Sequence, residues 1–361
     1  MKFSVSKAKL LEGLSTVQNV VNSRTTLPIL SNVLLQAIDG EIRLTTTDLD
    51  VGIRGSVEAR VERTGATTLP ARRLLSIVRE LPSSVIYFDV DTENLASIQS
   101  GSSYFKILGL PEEEFPSLTR FEEAKIFTIA QKDLKDGLRK TSYAISVDET
   151  RYVLNGILFS FKDSKLTLVA TDGRRLALVE LEVEFPSSQE TEVIVSTKAV
   201  TEIQRLLREE GEVKLSIGEN QIAFELNRIL LVSKLIEGNY PNYRQVIPPE
   251  AKERIRLERE TFLAAVRRVS LLASEKAVKL IFTKSNIDIV ANTPEVGEAK
   301  ESLPVKYQGR EYSIAFNPEF LMAPLRNLSE EEIYLDLIDE LSPGVIKIAG
   351  PFLYVLMPVR L

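Results

Sequence analysis

Two carboxylate pairs, Asp48 with Asp50 and Asp148 with Glu149, come nearest in type and spacing to an enzyme's equipment. Such a pair can divide general acid from general base, as in glycoside hydrolysis, and Asp-x-Asp can give oxygen ligands to a hard cation. Both pairs stand beside turn sequences, where carboxylates are usually solvated or cap backbone N–H groups. A third stretch, Thr171-Asp-Gly-Arg-Arg175, sets two cations behind an Asp-Gly turn and could hold a phosphate. The chain has no histidine and no cysteine. Ser-His-Asp and Cys-His catalysis, disulfides and the usual nitrogen and sulfur zinc sites are therefore excluded. Carboxylate or lysine chemistry is what remains.

The Asp-Gly turn needs two strands to hold it. Leu166-Thr-Leu-Val-Ala170 alternates as a half-buried strand, and Leu176-Ala-Leu-Val179 resumes the pattern as its return. The same design occurs earlier: Thr47-Asp48 follows Ile42-Arg-Leu44 and precedes Thr171-Asp172 by 124 residues. The first copy lacks both the glycine and the paired arginines.

The echo belongs to a longer repeat. Phe3 through Leu14 lies on Phe127 through Leu138, again at offset 124, and a third copy starts at Ile255, 128 residues after the second. Each unit opens with a short strand and an amphipathic helix, carrying Leu10, Leu14 and Val17, then Leu134 and Leu138, then Phe262 and Val266 on one face. A second helix follows in each, at Ala71, at Thr197 (capped by Ser196 or Thr197) and at Asn317, with Pro318 in its first turn. Strand pairs close each unit, as in the hairpin Val213–Ile217 with Gln221–Glu225. Pro-containing stretches near residues 111–120 and 238–252 are the expected linkers. The expectation is an α+β chain of three domains, 1–120, 121–246 and 247–361, each with about eight short strands and two helices.

Charge is unevenly shared. The chain carries a net −6, which taken alone argues against nucleic acid. The helical segments 7–22, 71–81, 131–146, 197–210, 259–274 and 317–327 hold 16 Lys and Arg against 9 Asp and Glu, so they sum to +7 and the rest to −13. Solvated polar faces explain any one helix. A shared helical surface would attract phosphate backbones without reading bases. Its candidates are Arg24, Arg72, Arg73, Lys132, Arg139, Lys140, Lys198, Arg205 and Arg267. No apolar run approaches a membrane span and the start has no apolar leader, so the expected location is the cytoplasm and no membrane partner is expected.

Arg24-Thr-Thr-Leu-Pro-Ile-Leu30, Tyr152-Val-Leu-Asn-Gly156, Thr171–Ala177 and Val355-Leu-Met-Pro-Val-Arg-Leu361, set in three such repeats, resemble the bacterial DNA polymerase III sliding clamps, the beta subunits. The resemblance covers the whole chain. It implies a head-to-tail homodimer closed into a ring of six domains around double-stranded DNA, helices inside and sheets outside, with no catalysis and no cofactor. Twelve helices about 9 Å apart give a circle about 35 Å in diameter at their axes, and subtracting a helix radius on each side leaves a hole of about 25 Å, wide enough for a duplex.

By the same resemblance Arg151 and Tyr152 join the DNA-facing set, and Leu81 with Phe105 in the edge strand Ser103–Lys106 meets Leu271 and Leu272 of a second copy. Alone, Leu271 and Leu272 read as the buried end of a helix. A partner-peptide groove between the second and third domains would be lined by Leu154, Thr171, Gly173, Arg174, Arg175, Leu176, Pro241, Val246, Met357, Pro358 and Val359, with Arg360 at its edge. Partners implied are the replicative polymerase alpha subunit, the clamp loader, other polymerases, ligase and mismatch-repair proteins. Independently, Phe352–Val359 is apolar and its proline ends sheet pairing, so this segment should cross a surface groove. Arg174 and Ala277 depart from the residues common in relatives; the first costs little, and the second leaves the depth and gating of one subsite open. Against the clamp stand a carboxylate-based hydrolase and a peptide-docking scaffold that ignores DNA.

Overall fold

Lys2–Ser6 shows why the units open with strands: Phe3 and Val5 are buried while Lys2 points to solvent. The computed structural model describes residues 1–21, 27–118, 124–249, 251, 253–273, 277–294, 296–307 and 309–360. Its first repeat contains β1 (Lys2–Ser6), α1 (Lys7–Val17), β2 (Asn32–Ile38), β3 (Glu41–Thr47), β4 (Val51–Arg63), β5 (Gly65–Pro70), α2 (Ala71–Glu80), β6 (Val85–Val90), β7 (Leu95–Ser100) and β8 (Ser103–Leu108). The second contains β9 (Lys125–Ala130), α3 (Gln131–Thr141), β10 (Gly156–Lys162), β11 (Lys165–Thr171), β12 (Arg175–Glu182), β13 (Thr191–Ser196), α4 (Thr197–Leu206), β14 (Glu212–Ile217), β15 (Gln221–Leu226) and β16 (Ile229–Ile236). The third contains β17 (Glu253–Glu258), α5 (Arg259–Val269), β18 (Val278–Phe282), β19 (Asn286–Thr293), β20 (Gly297–Pro304), β21 (Tyr312–Phe316), α6 (Pro318–Asn327), β22 (Glu332–Leu337), β23 (Gly344–Lys347) and β24 (Phe352–Leu356).

The opening helix of every repeat is shorter than its apolar periodicity suggests. Each tightens into a 3₁₀ turn, at Gln18–Val20, Ser142–Ala144 and Ser270–Leu272. The α-pattern runs out at β-branched residues followed by polar ones, and the last turn closes by i→i+3 bonds. The expected starts hold. Ser196 Oγ accepts from Ala199 N at 3.3 Å, and Asn317 caps α6 with Pro318 at its first position.

The chain gathers into two compact units, residues 1–132 with 201–235 and residues 133–200 with 236–361. The second repeat is thus divided, and strand pairing explains why. In the first unit β4 pairs with β16, Ile53 facing Leu231, giving an antiparallel sheet in the order β5-β2-β3-β4-β16-β15-β14-β9. In the second unit β12 pairs with β24, Leu176 facing Val355, giving β13-β10-β11-β12-β24-β23-β22-β17. These two sheets are the same design, eight labels apart. The first unit extends its sheet by β8-β7-β6-β1, since β1 also pairs with β4, and the second adds a separate sheet β20-β19-β18-β21.

Among the described residues no helix is long and apolar enough to cross a membrane. The carboxylate pairs serve as turn formers. Asp48 Oδ1 accepts from the N–H of Asp50 and Val51, and Asp148 Oδ1 accepts from the N–H and hydroxyl of Thr150.

Candidate functional site

The Asp-Gly turn between β11 and β12 is built from its own side chains. Thr171 Oγ1 accepts from Gly173 N at 3.1 Å and donates to the Arg175 carbonyl at 2.6 Å. Asp172 Oδ1 accepts from the N–H of Arg174 and Arg175, while its Oδ2 accepts from Arg175 Nε at 3.0 Å. Arg175 is therefore held in place. Its guanidinium lies 4.4 Å from the centroid of the Phe320 ring on α6, and the Phe320 carbonyl accepts from the Tyr354 hydroxyl at 2.8 Å. Burial pushes the Tyr354 hydroxyl well above its ordinary pKa, so it stays a neutral donor.

Residues 357–360 are strapped beside this turn. Met357 N donates to the Arg174 carbonyl at 3.0 Å and Val359 N to the Ala315 carbonyl at 2.8 Å. An open depression of about 550 Å³ lies along them, lined also by Lys279, Glu340 and Leu341. Of the expected groove residues only Met357, Pro358, Val359 and Arg360 line it; residues 239–246 pack on the opposite side of the turn's own core. Tyr243 packs into a core with Leu158, Val169, Leu176 and Val355, and Tyr240 donates to the Val169 carbonyl at 3.3 Å. The expected groove residues divide by depth. Leu154 and Leu176 are buried, Thr171, Arg175, Met357, Pro358 and Val359 are half-buried, and Gly173, Arg174, Pro241, Val246 and Arg360 are exposed. Ala277, half-buried, precedes β18 two residues before Lys279. Phe320, Lys279 and Glu340 carry no local motif and are not found by reading the sequence.

Arg151 and Tyr152 sit against this site. Arg151 Nε donates to Asp148 Oδ2 at 3.2 Å, and its guanidinium lies where a side chain on Gly173 would be, 2.7 Å from an ideal Cβ. Tyr152 lies in the same way over Gly238, its hydroxyl 3.5 Å from an ideal Cβ there. Gly238 directly precedes residues 239–246. Both residues, expected toward DNA, are exposed and lie beside the turns at Gly173 and Gly238.

The helical cations separate into two groups. Arg72, Arg73, Lys132 and Arg267 are exposed and form no ion pair among the described residues. Lys198 is half-buried. Arg139 pairs with Asp136, and Arg205 pairs with Glu202 at 2.8 Å while donating to the Thr16 carbonyl. Lys140 departs most from expectation, being buried between Asp136 at 2.9 Å and Glu330 at 2.8 Å. Burial disfavours its charge, but the two carboxylates outweigh that and hold its pKa above the usual lysine value. Its charge is consumed locally. Arg24 lies outside the described residues.

Of the expected contact residues, Leu81 is 2% exposed and belongs to the core at the end of α2, so it presents no side-chain surface. Phe105 lies exposed on β8, an edge strand, together with Tyr104 and Leu108. Leu271 is 81% exposed, while Leu272 is half-buried.

Comparison with known proteins decides the family. Descriptions of the DNA polymerase III beta subunit match residues 1–119 as its N-terminal domain, 128–242 as its central domain and 244–360 as its C-terminal domain. The chain belongs to the DNA polymerase III beta subunit family. The beta sliding clamp of Chlamydia muridarum is 36% identical over 363 residues, covering 100% of this chain and 99% of the relative. The sliding clamp of Bacillus subtilis superimposes with a TM-score of 0.96 at 32% identity, covering 100% of this chain and 99% of the other. That of Bartonella birtlesii, solved bound to griselimycin, gives 0.95 at 38% identity with both chains covered in full. Beta sliding clamps are DNA-replication processivity factors with no catalytic step, so the carboxylate-based hydrolase and the DNA-free scaffold are not favoured. Three clamp domains of mixed helix and sheet account for the entire fold.

Proposed function

We propose that this clamp works as two copies joined head to tail into a closed ring, encircling duplex DNA and sliding along it while partners dock beside Thr171–Leu176. The observation that carries the ring is a pair of unsatisfied surfaces. β8 is an unpaired strand edge bearing exposed Tyr104, Phe105 and Leu108, and Leu271 is almost wholly exposed in the third repeat, where β20 is also an edge. Edges of this kind are a liability unless another chain covers them. A heterologous contact between β8 of one copy and the Leu271 region of the next closes after two subunits.

Arg72, Arg73, Lys132 and Arg267 then supply the phosphate contacts, which are individually weak. Non-specific binding of this kind has a Kd of roughly 10⁻⁴–10⁻⁶ M at physiological salt, too weak to keep a polymerase on its template. Ring closure retains the protein topologically, and the weak contacts leave it free to slide.

The depression along Met357–Arg360 takes a short apolar peptide from each partner: the replicative polymerase alpha subunit, the clamp loader, other polymerases, ligase and mismatch-repair proteins. Three buried apolar side chains at about 1.5–3 kcal/mol each, less the cost of ordering the peptide, give an affinity near micromolar, suited to exchange. The peptide-like ligand griselimycin occupies the same groove in this reading. The working place is the cytoplasm, where DNA is replicated in bacteria.

The ring is tested by solution mass. The wild-type protein is expected at twice the chain mass, and the double substitution Leu271→Ala, Leu272→Ala at the single chain mass with its melting curve otherwise retained. A wild-type monomer, or a dimer indifferent to that pair, contradicts the assigned contact.

A further inference from the structure

The groove turn has a twin in the first unit. Thr47 Oγ1 donates to the Val51 carbonyl and accepts from Leu49 N, as Thr171 does with Arg175 and Gly173. Asp48 Oδ1 accepts from the N–H of Asp50 and Val51, as Asp172 does from Arg174 and Arg175. Lys234 N donates to the Asp50 carbonyl at 2.8 Å, as Met357 N does to Arg174. Leu49 adopts φ +79°, matching +84° at Gly173, although a leucine is strained there and a glycine is not. The backbone of the docking site is therefore present twice, at the β4–β16 and β12–β24 joints.

The side chains differ. Where the groove has Leu176, the twin has Gly52, and the Leu118 side chain fills the space: an ideal Cβ on Gly52 would lie 2.2 Å from Leu118 Cδ2. Where the groove has Arg174 and Met357, the twin has Asp50 and Lys234, joined at 3.0 Å. The cavity left at this joint, lined by Thr47, Leu49, Gly52 and Leu118, is only about 70 Å³.

We propose that the β4–β16 joint is a second docking groove, built on the same backbone and occupied by this chain's own Leu118 under the Lys234–Asp50 pair. The Lys234–Asp50 pair is solvent-exposed and contributes little by itself, so Leu118 is the principal occupant. The consequence is a single open groove per chain.

This inference rests on the reading of Thr171–Leu176 as a docking groove, and the test separates the two. Calorimetric titration with griselimycin is expected to give one site per chain for the wild-type protein and two for the triple substitution Leu118→Ala, Asp50→Arg, Lys234→Met. One site in both overturns the proposal and leaves the groove reading intact. No wild-type binding overturns the groove reading instead. The proposal is then decided by titrating N-acetyl-leucinamide into Leu118→Ala, the variant least able to disturb the fold. A saturable shift of the Gly52 amide resonance, absent from wild type, supports the proposal, and no shift overturns it.

Discussion

Gly173 meets two demands at once: its φ of +84° suits glycine, and the Arg151 guanidinium occupies the space a side chain would need. The first demand is visible in the sequence as Asp-Gly before a return strand. The second joins residues 22 positions apart and shows only once the chain is folded. Asp336 is a clearer case of the same limit. It is 2% exposed, and burial alone would raise its pKa, but hydrogen bonds from Arg254 at 2.7 and 2.9 Å and from Lys347 at 2.9 Å hold it below the ordinary carboxylate range. A carboxylate whose pKa is lowered by folding stabilises fully above its unfolded value, about 3.9, and loses that contribution as pH falls through the lower folded value. Thermal melts are expected to place Asp336→Asn about 1.5–3 kcal/mol below wild type at neutral pH, with the two curves converging below about pH 4. Parallel curves down to the lowest pH would show that this carboxylate is not what the ion pairs stabilise.

At the scale of elements, periodicity identified the six helices of the described residues, a cap at Ser196 or Thr197 and Pro318 in a first turn, because apolar spacing and capping chemistry are local. It could not show which strand pairs with which. Alternation says that β4 and β16 are strands, and only the fold reveals that they join one sheet across a repeat boundary, as β12 and β24 do. Lys140 was equally illegible, since its partner Glu330 lies 190 residues away. In the proposed ring, the helical cations that remain exposed are the ones that meet the DNA backbone. For Arg73→Ala, Lys132→Ala and Arg267→Ala, the slope of log K against log salt is expected to fall by about 0.9 for each phosphate that the variant no longer neutralises, regardless of DNA sequence. Lys140→Ala should leave the slope unchanged and lower the melting temperature. Anisotropy titrations over a salt series and thermal melts measure the two effects, and a slope that responds only to Lys140 contradicts the division of the cations.

For the whole molecule, the two sheets of like order explain how three sequence repeats become two compact units: each joint between repeats is a strand ladder, and a linker alone would not hold it. The composition excluded histidine and cysteine catalysis but could not distinguish a scaffold from a ring, because ring closure depends on surfaces that meet only in a second copy. In the proposed ring, exposed β8 and Leu271 are those surfaces. If retention on DNA is topological, it must depend on whether the DNA has ends, at a fixed number of neutralised phosphates. The most direct measurement loads the protein on nicked circular DNA, removes free protein by gel filtration, and then linearises half the sample. Retention on the circle with rapid loss from the linear molecule is predicted. Equal retention on both, or equal loss from both, would contradict encirclement.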